Sequence, residues 1–169
     1  MKILVAYSSK TGNTKKVAEA IHEEFKDCSE IKPIEEVKEV SGYDYVFIGF
    51  WADKGTANED AAKFMSTIEG QKCGIFATLG AYPYSVHAHD VLVNAAKLLS
   101  EKNTVLGTFI CQGPVDPEIL EKFKSLPKDN PHYPNEAAQL RHKVALEHPN
   151  EKDLNEAREI FRNIVERDV

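Results

Sequence analysis

Four short apolar runs constrain the fold more than any other feature of the sequence. They cover residues 3–7, 45–50, 74–79 and 105–110, and each is rich in β-branched or aromatic residues with few polar interruptions. Such near-continuous runs are typical of strands that are covered on both faces, as in a parallel sheet. A weaker candidate strand lies near residues 29–34. The sequence therefore predicts a parallel sheet of five strands.

Amphipathic helical patterns separate these strands. Apolar residues recur at helical spacing over residues 14–25, 58–68, 86–100 and 153–168, which predicts four helices with one buried face each. Asn150 can cap the last helix, because its side chain can accept hydrogen bonds from the first free backbone N–H groups. Alternating strands and helices predict an α/β protein with βαβ units, and 169 residues are most simply one domain.

A proline-rich segment interrupts this alternation. Residues 112–150 contain six of the eight prolines of the chain. The segment is too apolar for a disordered linker, and short helices are predicted near residues 117–125 and 135–145. We interpret it as an ordered insertion between the last strand and the last helix of a single domain that spans residues 1–169.

Charge and cysteine content exclude several classes of protein. The formal net charge is −6, which disfavours non-specific nucleic-acid binding because that needs a basic surface. No apolar stretch approaches the ~20 residues of a membrane helix, and the N-terminus shows no leader pattern. The three cysteines are far apart and form no Cys-x-x-Cys pair. We therefore expect a cytoplasmic protein with reduced thiols that binds neither a metal ion, nor nucleic acid, nor a membrane.

The segment 7-YSSKTGNTKKVAEAI-21 connects the first strand to the first helix through small, polar and charged residues. A helix N-terminus carries free N–H groups and a partial positive charge, so such a loop can bind an anion. Gly12 permits a positive φ and close approach of a ligand, and Asn13 tolerates the same geometry and can cap the helix. Additional hydroxyl donors lie at Ser8, Ser9, Thr11 and Thr14.

Two common phosphate loops are absent from this position. The sequence contains no G-x-x-x-x-G-K-[ST] pattern and no G-x-G-x-x-G pattern, so neither an NTPase site nor a dinucleotide site is indicated. What remains is a hydroxyl-rich loop suited to one terminal phosphate.

The motif 9-SKTGNT-14 resembles the phosphate loop of flavodoxins, [ST]-x-T-G-x-T, and it follows the first strand as it does in that family. The resemblance covers residues 1–111 and the final helix. It implies a doubly wound three-layer sandwich with a five-stranded parallel sheet in the order 2-1-3-4-5, and non-covalent binding of FMN. By this resemblance the phosphate is held by Ser9, Thr11, Gly12, Asn13 and Thr14, and Lys10 of the same loop also belongs to the cofactor site.

Two further loops are expected at the same edge of the sheet. The segment 49-GFWADKGTANED-60 places Trp51 just after the third strand, where an indole can stack on a flat aromatic ligand. The resemblance implies that this loop meets the N5 edge of the flavin, where a peptide next to a glycine can accept a hydrogen bond. The candidate residues are Trp51, Ala52, Asp53, Lys54 and Gly55.

The loop after the fourth strand, 78-TLGAYPYS-85, resembles by its position the flavodoxin loop that touches the flavin pyrimidine and supplies the second aromatic wall. Gly80 allows backbone approach, and either tyrosine can cover the flavin. The candidate residues are Thr78, Leu79, Gly80, Ala81, Tyr82 and Tyr84.

The resemblance leads to three hypotheses about function. The first is an electron carrier that binds FMN and docks transiently on redox partner proteins, as a monomer or a weak dimer. The second is an NAD(P)H-dependent FMN reductase, quinone reductase or other small-molecule reductase of the same superfamily, because fold does not settle function. The third is an interaction domain without flavin. The insertion at residues 112–150 bears on this choice, since it can cover a substrate pocket or form a docking surface.

Overall fold

The computed structural model describes residues 1–130 and 132–168, so Pro131 of the predicted insertion lies outside the described residues. The strands are β1 Ile3–Tyr7, β2 Ser29–Pro33, β3 Tyr45–Asp53, β4 Thr56–Ala57, β5 Lys72–Leu79 and β6 Thr104–Gln112. The helices are α1 Asn13–Glu24, α2 Glu59–Thr67, α3 Val86–Ala96, α4 Pro117–Lys124, α5 Glu136–Ala145 and α6 Glu151–Asp168. Among these helices, none is both long and apolar enough to cross a bilayer.

The five long strands form one parallel sheet in the order β2-β1-β3-β5-β6. This is the predicted order 2-1-3-4-5, so the predicted fold is confirmed. The sheet also has a two-residue strand, β4, which pairs antiparallel with the end of β3. The sequence did not predict β4, because a strand this short has no periodicity of its own.

Both faces of the sheet are covered by helices, which explains the near-continuous apolar runs. In β1, Leu4 belongs to the core under α2 and α3, whereas Val5 belongs to the core under α1 and α6. Every residue of such a strand is buried on one side or the other. The α6 face is centred on Phe161, whose ring packs edge-on against Phe47 and Phe76 with centroid distances of 4.6 and 5.8 Å.

Element ends differ from the prediction in ways that concern the site. β3 continues to Asp53, so Trp51 belongs to a strand and not to a loop. The third helix ends at Ala96, earlier than predicted. The cap of α6 is confirmed, since the backbone N–H groups of Lys152 and Asp153 donate to Asn150 Oδ1.

Both helices that the sequence predicts within the insertion are present, as α4 and α5. Gln112 attaches the insertion to the sheet. This side chain is 2% exposed, and its Nε2 donates to the carbonyl oxygens of Gly80 and Arg141, each at 3.2 Å. One buried amide therefore connects the end of β6, the loop after β5 and the helix α5.

Candidate functional site

A cleft of about 860 Å³ lies at the carboxyl end of the sheet, as expected for a fold of this type. It brings together most of the predicted site residues: Lys10, Thr11, Asn13, Trp51, Ala52, Asp53, Lys54, Gly55, Thr78, Leu79, Gly80, Ala81 and Tyr82. Three other predicted residues, Ser9, Gly12 and Thr14, lie in the β1–α1 loop and at the start of α1 rather than along the cleft wall.

The loop between β1 and α1 carries free backbone donors. Among the described residues, none accepts a hydrogen bond from the backbone N–H groups of Lys10, Thr11, Asn13 or Thr14. The N–H groups of Gly12 and Lys15 are satisfied instead by Ser9 Oγ, at 3.2 and 3.3 Å. The Ser9 side chain thus fixes the loop, and four donors remain for an anion.

Gly12 is the N-cap of α1 and has a φ of 92°. Apart from Gly12 itself and its two chain neighbours, no heavy atom of the described residues lies within 4 Å of the position that a Cβ would occupy. The glycine is therefore required by its backbone conformation, and the space beside it is open to a ligand. The prediction that Asn13 caps the helix was wrong: its Nδ2 donates to Thr11 Oγ1 and to the carbonyl oxygen of Pro114, both at 3.1 Å.

Thr14 connects the loop to the central sheet. Its hydroxyl lies 2.9 Å from the hydroxyl of Thr78, and both residues are buried. One hydroxyl hydrogen serves the bond between the two oxygens, so the other is left to donate elsewhere.

The strand β3 and the short strand β4 form a tight hairpin. Lys54 and Gly55 are its two turn residues, with φ values of 48° and 80°, as in a type I′ turn. The Gly55 carbonyl oxygen accepts a hydrogen bond from Asn94 Nδ2 of α3 at 3.0 Å. Trp51 and Asp53, which the sequence placed in a loop after the third strand, are therefore held in a paired strand.

The loop after β5 places only one of the two tyrosines along the cleft. Tyr82 lines the cleft, whereas Tyr84 is 83% exposed and stacks on Tyr82 with a centroid distance of 5.5 Å. Gly80 also lines the cleft. A Cβ at this position would meet Val115 Cγ2 at 2.2 Å, so the missing side chain makes room for the insertion.

The insertion forms a fourth wall of the cleft, in addition to the β1–α1 loop, the β3–β4 hairpin and the loop after β5. The sequence did not predict which of its residues line the cleft. The residues that the insertion adds, from the end of β6 to α5, are Gly113, Pro114, Val115, Asp116, Ile119, Phe123, His132, Arg141 and His142. Ser85 and His87 also line the cleft, beside the loop after β5. The sequence indicated only that a segment with two helices and several histidines follows the last strand. It could not indicate which side chains reach the cleft, because that depends on how the segment folds back over the sheet.

A salt bridge joins the insertion to the β1–α1 loop. Lys10 Nζ lies 2.6 Å from Asp116 Oδ2, and Asp116 also caps α4 by accepting from the backbone N–H of Glu118. The hydrogen bond from Lys10, together with that from Glu118, lowers the pKa of Asp116 below 3.8. The same bond raises the pKa of Lys10 above 10.5. Both groups therefore carry their charges at neutral pH.

The histidine of α5, His142, is uncharged at neutral pH, unlike Lys10 and Asp116. Burial lowers the pKa of His142 below 6.5, and the neighbouring Arg141 guanidinium lowers it further. At neutral pH this imidazole is uncharged, so it can either donate or accept a hydrogen bond towards the cleft.

The fold and the cleft define a doubly wound α/β protein with an open cleft across the carboxyl ends of its strands. The chain belongs to the flavodoxin domain family, whose model matches residues 4–162. It is 32% identical over 170 residues to the flavodoxin-like domain-containing protein BilS of Clostridioides difficile (strain CD3), covering 98% of this chain and 97% of that protein. The predicted family is thus confirmed.

Solved structures show the same fold. Flavodoxin 2 from Bacillus cereus superimposes with a TM-score of 0.65 at 16% identity, covering 99% of each chain. A flavoprotein from Lactobacillus acidophilus NCFM, solved in complex with FMN, has a TM-score of 0.50 at 18% identity and covers 72% of this chain and 97% of its own. At these identities the likeness concerns the fold alone.

Proposed function

We propose that this protein binds one FMN non-covalently and passes electrons through it between redox partner proteins. The single observation that supports this most is the β1–α1 loop, with four unused backbone donors beside the open space at Gly12. The donors, the loop hydroxyls and the helix N-terminus suit a single dianionic phosphate. When bound, FMN supplies one- and two-electron redox chemistry at its ring.

The remaining walls suit the ring of the same cofactor. The half-buried Trp51, at the end of β3, and the half-buried Tyr82, in the loop after β5, both line the cleft, and flat ligands stack favourably on such side chains. The named relative from Lactobacillus acidophilus was solved with FMN, which agrees with this choice. The residues present therefore fit the cofactor.

Reconstitution with three flavins tests the proposal. Purified apoprotein is titrated with FMN, FAD and riboflavin, and quenching of flavin fluorescence is measured. We expect tight binding of FMN and at least about 100-fold weaker binding of riboflavin, since riboflavin lacks the phosphate that several charge-assisted hydrogen bonds would hold. Equal affinity for FMN and riboflavin would contradict the proposed phosphate site.

A second function is favoured by one specific observation. The insertion lines the cleft through Ile119, Phe123 and Arg141, so it is placed to enclose a small substrate beside the flavin. Anaerobic photoreduction of the FMN-loaded protein separates the two functions. A long-lived one-electron-reduced form supports the carrier, whereas direct passage to the two-electron-reduced form supports a small-molecule reductase.

A further inference from the structure

We propose that the insertion side of the cleft is a binding site for a small organic anion with a flat apolar body. The site is formed by Arg141 and His142 of α5 and by Ile119 and Phe123 of α4. This proposal rests on the proposed function in one respect, because the site lies beside the proposed FMN site. It goes beyond that function because it assigns a second ligand to the same cleft.

The charge for this site comes from Arg141. Its side chain is half-buried and lines the cleft, and among residues 1–130 and 132–168 no carboxylate and no other acceptor binds its guanidinium. Of the other arginines, Arg158 and Arg162 donate to side-chain oxygens, and Arg167 is exposed at the end of α6. A guanidinium that is partly removed from water and lacks a partner is suited to bind a carboxylate through two parallel hydrogen bonds.

The other charges of the cleft do not neutralise Arg141. The cleft contains two carboxylates, Asp53 and Asp116, and Asp116 is already paired with Lys10 at 2.6 Å. Lys54 lies next to Asp53 in the hairpin turn. Without flavin, the cleft lining has three cationic side chains (Lys10, Lys54 and Arg141) and two carboxylates. The proposed FMN phosphate would lie at the β1–α1 loop, so the charge available to a second anion is that of Arg141 itself.

The apolar body of the ligand would contact α4. None of the residues of this helix is fully buried, although Ile119 and Phe123 are large apolar residues. Both side chains line the cleft, and the Phe123 ring stacks on the His132 ring with a centroid distance of 5.1 Å and an interplanar angle of 18°. A helix whose apolar residues are only partly covered by protein can bury them against a flat ligand.

His142 supplies a second polar contact next to Arg141. Because burial and the guanidinium keep this imidazole neutral at neutral pH, it can donate a hydrogen bond to a ligand oxygen without a competing charge. Arg141 itself is fixed in place through its backbone, since its carbonyl oxygen accepts from the buried Gln112 side chain. The backbone of Arg141 is thus held by the sheet as well as by α5.

Titration of the FMN-loaded protein with 2-naphthoate tests the site. Binding is measured by calorimetry and by the change in the flavin absorption band. We expect saturable binding to the wild type, and binding of the uncharged 2-naphthamide that is at least about tenfold weaker, because it lacks the charge-assisted hydrogen bonds. An absence of saturable 2-naphthoate binding would overturn the proposal.

Two variants of α5 decide whether Arg141 is the anion contact. Arg141→Gln is expected to weaken 2-naphthoate binding by about tenfold or more and to leave FMN affinity unchanged. Lys143→Gln removes the same charge from an exposed position on the same helix outside the cleft, so it should change neither affinity. Arg141→Lys should fall between the wild type and Arg141→Gln. If Arg141→Gln weakens FMN binding and leaves 2-naphthoate binding intact, Arg141 is a flavin contact and the proposal is wrong.

The two proposals can fail separately. If the protein does not bind FMN, the proposed function fails, and calorimetry of 2-naphthoate with the flavin-free protein still tests the anion site. Binding that depends on Arg141 supports the site, and binding that is equal in Arg141→Gln overturns it.

Discussion

The hydroxyl oxygens of Thr14 and Thr78 lie 2.9 Å apart, although 64 residues separate them in the chain. One belongs to the first turn of α1 and the other to the end of β5, and both are buried. The bond holds the start of α1, with its free N–H groups, against β5. On the neighbouring strand β3, Trp51 pairs with Thr78. The bond therefore connects the loop proposed to bind the phosphate with the strands proposed to bind the flavin ring.

Valine substitutions test this bond, because valine has nearly the shape of threonine without its hydroxyl. We expect Thr14→Val or Thr78→Val alone to lower the free energy of unfolding by about 1–2 kcal/mol, since each leaves a buried hydroxyl without its partner. The double variant should lose less than the sum of the two single variants. Denaturant unfolding of all four proteins measures the coupling, and additive losses would contradict a direct bond.

Gly12 is predicted to matter for both folding and ligand binding. Gly12→Ala should lower the free energy of unfolding by about 1 kcal/mol, since its φ of 92° disfavours a residue with a Cβ. FMN affinity should fall as well, because the new methyl group enters the open space beside the loop. Gly42→Ala is a matched control, since that glycine also has open space around its missing side chain and no positive φ. A flavin titration and a denaturant curve for each variant provide the comparison.

Lys54 is a poor residue for its position in the hairpin. Its φ of 48° is better tolerated by asparagine, and the Asn-Gly pair is the preferred type I′ turn. We therefore expect Lys54→Asn to raise the free energy of unfolding by about 0.5–1 kcal/mol. Lys54→Ala removes the same charge and keeps the unfavourable φ, so it should not stabilise the protein. Equal stability of the two variants, measured by thermal and denaturant unfolding, would show that charge and not backbone conformation is responsible.

The Lys10–Asp116 salt bridge predicts a pH dependence. The pKa of Asp116 is lower in the folded protein than its ordinary value of 3.8. The bridge therefore contributes its full stabilisation above that value and loses it as the pH falls through the folded pKa. Asp116→Asn keeps a good helix cap and removes this titration. Between about pH 5 and pH 2, its free energy of unfolding should fall less steeply than that of the wild type; parallel curves would exclude a role for this bridge.

Gln112 is predicted to hold the insertion over the cleft. Gln112→Leu removes the donor to two carbonyl oxygens, of Gly80 and Arg141, and should lower the free energy of unfolding by about 1–3 kcal/mol. Hydrogen exchange should accelerate most in α5. Gln139→Leu offers a comparison, since its exposed side chain donates only to the carbonyl oxygen of Pro134 within the insertion. Acceleration spread evenly over the whole chain would contradict a local anchoring role.

Much of the fold was predictable because its signals are local. The four apolar runs and the helical stripes each reflect burial of a single element, and the strand order followed from the resemblance carried by residues 9–14. The position of the β1–α1 loop was predictable for the same reason, since its motif consists of consecutive residues; its role in phosphate binding stays a prediction. Trp51 was placed next to the correct strand, although that strand proved longer than its apolar run.

The fourth wall of the cleft was not predictable from local patterns. The positions of Phe123 and Arg141 depend on how two short helices fold back over the sheet, and that is decided by single long-range contacts such as the one from Gln112. The hairpin at Lys54 was missed because β4 contains only two residues. The sequence favoured Tyr82 and Tyr84 equally as the residue that covers the flavin. The path of the loop decides that Tyr82 lines the cleft and Tyr84 does not.

The insertion leaves the core and returns to it at almost the same place. β6 ends at Gln112 and α6 begins at Glu151, and the carboxylates of Asp153 and Glu156 lie close enough to add to the effect of burial in raising the pKa of the Cys111 thiol. The intervening chain thus closes as a loop at its base, and it lies outside the strand order of the sheet. Changes in the sequence of this loop can therefore alter one side of the cleft while the pairing of the strands stays the same.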